Sequence, residues 1–151
     1  MNTIKIQMVN GPNLDLLGTR EPDVYGNLSL DDIIALTRSR ASQLGASIEA
    51  FQSNDEGALV TCIGQACGKF DGLIVNPAAY THTSVAIRDA IKASGLPCVE
   101  VHLSNTHARE EFRHRSLTAP VCLAQLMGFG AAGYVLAVEG LVAHLRGTEA
   151  A

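Results

Sequence analysis

The chain has 151 residues, of which 47% are hydrophobic and 17% charged, with a formal net charge of −4. A chain of about 150 residues buries roughly 68–70% of its unfolded surface, so one domain over residues 1–151 needs neither metal nor disulfide staples. The acidic balance and the absence of a Lys/Arg run exclude nucleic acid and anionic membrane as main partners.

The N-terminal MNTIKIQMVNGPN lacks the basic start and long apolar stretch of a signal peptide, and IKIQMV (4–9) predicts a buried strand ending in a loop. The loop runs to about Leu28. Ser29, with Asp32 three residues on, resembles a capping box, and Leu30, Ile33, Ile34, Ala41 and Leu44 repeat at helical spacing until Gly45. SIEAF (47–51) predicts a second strand and residues 57–69 a second helix. GLIVN (72–76) is uniformly apolar, as a strand buried on both faces should be. A helix over 84–94, a strand CVEVHLS (98–104) and a polar connection NTHAREEFRHRS with a helical turn come next. VCLAQLM (121–127) predicts a fifth strand and 130–146 a closing amphipathic helix. No apolar run approaches the roughly 20 residues of a membrane span. Cys62, Cys67, Cys98 and Cys122 have neither CxxC spacing nor scaffold density, which predicts free thiols in a cytoplasmic protein. Five alternations of strand and helix predict an α/β, doubly wound, flavodoxin-like sandwich with a five-stranded parallel sheet.

Ligands of such sheets bind beyond the carboxyl ends of the strands. Polar residues gather there: Asn10, Asn13, Arg20 and Tyr25 after the first strand, Asn76 and His82 after the third. Glu100, His102 and Ser104 close the fourth strand, followed by His107, Arg109 and Arg113. A solvated rim would be polar too, so strand four is the sharper signal. Strand alternation puts Glu100 and His102 on one face and Val99, Val101 and Leu103 on the other. An edge strand with a wet face is the alternative, but the flanking valines favour a covered strand. A carboxylate orienting an imidazole that moves protons accounts for both polar residues.

Other chemistries fit less well. No G-x-S-x-G elbow is present, and Cys62 and Cys67 fall in a predicted helix. His102 and His107 lack the helical two-histidine spacing of zinc proteases, so no metal is expected. GFGAAG (128–133) follows the last strand, with too little chain left for a dinucleotide-binding unit, and reads as close strand-to-helix packing. Lys5, Lys69 and Lys92 fall on a strand or helices away from the rim, which argues against an imine. Arg20, Arg109, Arg113 and the histidines suit a small, oxygen-rich, anionic substrate. Tyr25 could be the base if its pKa fell from about 10 by two to three units, which takes about 3–4 kcal/mol of differential stabilisation. A neighbouring guanidinium such as Arg20 supplies that when partly desolvated. The loop alone is equally compatible with a turn in which Tyr25 covers apolar surface.

Four blocks, NGPNLDLLGTREPDVYG, FQSNDEG, NPAAYTHTSVAIRDA and EVHLSNTHAREEFRHRS, together resemble type II 3-dehydroquinate dehydratase over nearly the whole chain. The resemblance implies trans-elimination of water from 3-dehydroquinate through an enolate, with neither cofactor, metal nor imine, in a homododecamer built as a tetramer of trimers. It implies Tyr25 as base and Arg20 as the cation that holds its phenolate, with Arg109 nearby. Asn13 would position a water on the enolate oxygen. His102 would be the acid, oriented by Glu100. Asn76, His82, Leu103, Ser104 and Arg113 would bind substrate, and Asp89 would reach a site across the trimer contact; an ion pair on a helix surface is its alternative. Asp15 and Asp55 depart from the family pattern, at positions given no chemistry.

Overall fold

The computed structural model describes residues 2–19, 23 and 27–147 of the chain. The expectations for Arg20 and Tyr25 therefore lie outside the described residues.

β1 (Ile4–Asn10), α1 (Leu30–Gln43), β2 (Ala46–Gln52), α2 (Glu56–Ala66), β3 (Gly72–Asn76), α3 (Val85–Ser94), β4 (Cys98–His102), β5 (Ala124–Met127) and α4 (Ala132–Leu145) follow one another along the chain. All strand pairs are parallel, in the order β2-β1-β3-β4-β5. This is the doubly wound, flavodoxin-like order, which reverses direction between β1 and β3.

Strand alternation divides the apolar residues between two cores. Ile6, Met8, Ile74, Val99 and Val101 face α1 and α4, where they meet Ile33, Ala41, Ala137, Val138 and Leu141. Val9, Leu73, Val75 and Cys98 face α2 and α3, against Leu59, Ile63, Ile87 and Ile91. Each fully buried aliphatic side chain contributes about 1.5–3 kcal/mol, so two filled faces hold the sheet between four helices. The helices start as their caps dictate. Ser29 and Asp32 form the reciprocal capping box of α1, and the Ser84 hydroxyl accepts from the Ile87 N–H at the start of α3. Asp55 accepts from the Ala58 N–H at 3.0 Å, so it caps the start of α2.

Element ends differ from the sequence expectations by up to three residues, most informatively at β4, β5 and α2. β4 stops at His102 rather than residue 104, because the chain after β5 binds its end: Gly128 N–H donates to the His102 carbonyl and Gly130 N–H to the Leu103 carbonyl. Gly128 and Gly130 have φ of +96° and +59°, the left-handed region that favours glycine. β5 begins at Ala124 rather than residue 121, since Ala119–Val121 is a 3-10 turn with Pro120 in its first turn. α2 ends at Ala66, so Cys67 is its cap and Lys69 lies in the following turn, not within the helix. The polar connection holds two 3-10 turns, Thr106–Ala108 and Glu111–Arg113. Within GFGAAG, a Cβ on Gly133 would lie 3.5 Å from Val101, the close strand-to-helix packing expected there.

Candidate active site

The strand carboxyl ends open into a crevice of about 90 Å³ lined by Asn13, Asn76, His82, His102, Arg109 and Arg113, with Leu103 and Ser104 beside them. Two chambers share its walls. One, about 390 Å³, adjoins Leu103, Ser104 and Arg109. The other, about 250 Å³, lies behind His102 with Arg113, His107 and His114. A larger open groove of about 1080 Å³ lies over the edge strand β2 and α2. It contains none of the polar strand-end residues singled out in the sequence.

β4 supplies a buried carboxylate–imidazole pair. It lies between β3 and β5, and Glu100 and His102 are 0% and 6% exposed, so the covered-strand expectation describes it. His102 Nε2 bonds Glu100 Oε2 at 2.8 Å. His102 Nδ1 makes no hydrogen bond among the described residues, and the ring lines the crevice. Burial pushes the Glu100 carboxyl up. Hydrogen bonds from His102, Thr118 and Gln125 more than offset it, so the group sits below its ordinary carboxylate value. An imidazole with one nitrogen on a buried carboxylate and the other toward a polar crevice can pass a proton to or from a bound molecule.

Loops from three strands complete the walls. Asn13 takes a left-handed conformation (φ +67°) before the 3-10 turn Leu14–Leu16, and its N–H donates to Asn54 Oδ1 at 2.9 Å. Asn tolerates this region better than most residues. Gly11 lets the loop after β1 press on the loop after β3, since a Cβ there would lie 2.5 Å from the Pro77 carbonyl oxygen. Asn76 ends β3. Its Nδ2 donates to the Tyr134 hydroxyl at 2.9 Å, and its Oδ1 accepts from the Ala78 N–H at 3.0 Å. The Tyr134 hydroxyl donates in turn to Asn10 Oδ1 at 2.8 Å. Burial raises the Tyr134 phenol far above its ordinary range, and the Asn76 bond offsets only part of that rise.

His82 Nδ1 bonds the Arg115 carbonyl at 2.8 Å. Arg113 Nε pairs with Glu110 at 3.0 Å and its guanidinium lies 5.0 Å from the Phe112 ring centre. Arg109 Nε is 3.9 Å from the same carboxylate. Of the sequence-expected residues, Asn13, Asn76, His82, Leu103, Ser104, Arg109 and Arg113 line the crevice together with His102, and Glu100 lies beneath that ring. Asp89 is exposed on α3 and does not line this chain's own crevice.

Residues with no expected role also hold the site: Asn54 under Asn13, Tyr134 under Asn76, and Ser116, Thr118 and Gln125 around Glu100. One signal was present, because Gln125 is the polar residue of β5 and pairs in register with Glu100.

Fold and crevice together define an α/β protein with a buried carboxylate–imidazole pair at the ends of a doubly wound parallel sheet. Residues 4–142 match the family model for dehydroquinase class II. The chain is 55% identical over 143 residues to a 3-dehydroquinate dehydratase of Geotalea daltonii, covering 95% of this chain and 99% of that one. It is 51% identical over 141 residues to a catabolic 3-dehydroquinase of Aspergillus clavatus, covering 93% and 94%. The crystal structure of type II dehydroquinase from Propionibacterium acnes superposes with a TM-score of 0.89 at 39% identity, covering 93% of this chain and 97% of that one. The chain belongs to the class II dehydroquinase family.

Proposed function

We propose that the protein is a hydro-lyase that converts 3-dehydroquinate to 3-dehydroshikimate by trans-elimination of water through an enolate. The observation that carries this reading is the buried Glu100–His102 pair, 2.8 Å apart, with the ring facing a crevice lined by Asn13, Asn76, Arg109 and Arg113. Membership of the family supports the choice of substrate.

In this reading Tyr25 removes the proton beside the ketone, and Arg20 keeps its phenolate populated, with Arg109 as a second cation. Tyr134 is buried with its phenol raised, and the Tyr80 hydroxyl donates to the Asn54 carbonyl at 2.8 Å; both facts favour Tyr25 as the base. Asn13 positions a water whose hydrogen bond stabilises the enolate oxygen, an electrostatic contribution that acts as charge develops. Collapse of the enolate expels the hydroxyl. His102, entering this step as imidazolium with its Nε2–H on Glu100, gives up its Nδ1 proton so that water leaves and the ring becomes neutral. Glu100 orients the ring. Asn76, His82, Leu103, Ser104 and Arg113 hold the carboxylate and hydroxyls. Asp89, exposed on α3, serves the site of a neighbouring subunit in a dodecamer of four trimers. The unpaired cysteines suit a cytoplasmic enzyme, and we assign the step to shikimate biosynthesis.

The product is a conjugated enone, so turnover is followed by ultraviolet absorbance after mixing with 3-dehydroquinate. A rise in absorbance is expected, with Tyr25→Phe inactive although folded. No rise with assembled wild-type protein would leave a non-catalytic binder of small anions. Borohydride with substrate is expected to leave activity intact; inactivation would indicate an imine.

A further inference from the structure

Glu100 is fully buried yet is met by four side-chain donors. His102 Nε2 and Gln125 Nε2 reach Oε2 at 2.8 and 2.7 Å. The Ser116 hydroxyl reaches Oε2 at 2.9 Å, and the Thr118 hydroxyl reaches Oε1. Ser116 has little choice of direction. Its oxygen accepts from the Thr118 N–H at 3.2 Å and from the Ala119 N–H at 2.9 Å. Its proton goes to Glu100 Oε2 at 2.9 Å, a shorter reach than the 3.2 Å to the Thr118 hydroxyl oxygen. A carboxylate has about four acceptor positions, and here four side-chain donors share them.

These donors come from chain outside the described catalytic set. Ser116 and Thr118 belong to the segment that covers this face of β4, and Gln125 belongs to the neighbouring strand. Resting on the elimination reading above, we propose that Ser116, Thr118 and Gln125 are positioning residues. They fill the acceptor sites of Glu100 that His102 leaves, so the ring donates its Nε2–H to the carboxylate as a hydrogen bond and turns Nδ1 to the crevice.

A protonated Glu100 would have to donate, and every side chain around it already does so. The carboxyl's position below its ordinary value, despite burial, agrees with this geometry. Other ionisable groups near the pair are few. Cys98 lies on the same face of β4, its thiol pushed well up by the Cys122 hydrogen bond, then by burial, with Glu100's charge contributing least. Across the chamber stand His82, Arg113, His107 and His114. None of these is within the set of hydrogen bonds to Glu100.

The test is Thr118→Val, which keeps shape and removes one donor, with Gln125→Leu on the exposed β5 edge as a second variant should the first not fold. Histidine-¹⁵N spectra, with His102 identified by loss of its signals in His102→Asn, report which ring nitrogen holds the proton. They also report the pH at which Glu100's protonation disturbs that ring. Wild type is expected to hold its neutral ring as the Nε2–H tautomer. The Glu100 step is expected to move up by about one pH unit or more in each variant. The acidic limb of the kcat profile is expected to move with it while KM stays within about twofold. A wild-type ring in the other tautomer would overturn the proposal. So would an unmoved Glu100 step, or kcat lowered equally at every pH, which is the mark of a merely structural role. Wild-type protein that does not turn over 3-dehydroquinate refutes the elimination instead, and the spectra still decide whether the three donors fix the pair.

Discussion

Replacing Tyr134 by Phe removes one hydroxyl from beneath the crevice and leaves the ring in place. That oxygen is buried, donates to Asn10 Oδ1 at 2.8 Å and accepts from Asn76 Nδ2 at 2.9 Å. Asn10 Nδ2 already lacks a partner among the described residues, so its amide has no other bond to fall back on. Each buried polar group stripped of its partner costs about 1–3 kcal/mol, which gives about 2–6 kcal/mol for the two. For a chain of this size that is a fall in Tm of about 4–24 °C. Asn76, held afterwards only through its bond from the Ala78 N–H, loses orientation toward the crevice. Loss of a hydrogen bond worth about 0.5–1.5 kcal/mol predicts KM raised about 2–12-fold, with a smaller change in kcat. Thermal unfolding and steady-state kinetics, both at matched protein concentration because assembly adds to stability, check the two halves separately. A Tm within about 1 °C of wild type together with an unchanged KM would refute the reasoning.

Gly11→Ala is expected to destabilise by about 1–3 kcal/mol, because its Cβ would lie 2.5 Å from the Pro77 carbonyl oxygen; an unchanged urea midpoint would contradict the close approach of the two loops. Stability should depend on Glu100 with a defined sign. Its folded pKa is lowered, so its contribution is complete above the unfolded value near 4.3 and is lost as pH falls through the folded value. Urea midpoints for wild type and Glu100→Gln should therefore converge as pH falls below about 4.3, and parallel curves would exclude the linkage. Arg40→Ala removes a half-exposed bridge from α1 to Glu139 on α4, 2.8 Å long; a loss below about 1 kcal/mol is expected, and a larger one would show that the pair is not screened.

The order of elements was legible in the chain, because apolar runs such as GLIVN and the helical repeat after Ser29 report burial directly. The ends of β4 and β5 were not. They depend on the Gly128 and Gly130 turns and on Pro120, which act on strands some distance away in sequence. The same division holds at the site. Glu100 and His102 stand out because a carboxylate and an imidazole share one face of a covered strand. Tyr134 does not, since its partners lie 124 and 58 residues away and a single tyrosine on an apolar helix suggests packing. Ser116 and Thr118 read as loop polarity; only the fold carries them over the carboxylate.

The most direct measurement is the rate of enone formation from 3-dehydroquinate by His102→Asn, beside wild type, once both are shown to be folded and equally assembled. General acid catalysis contributes about 10²–10⁴-fold, so a rate lower by at least about 100-fold is expected, from a wild-type protein that forms the enone. A variant within a few fold of wild type would contradict the assignment of proton transfer to the Glu100–His102 pair.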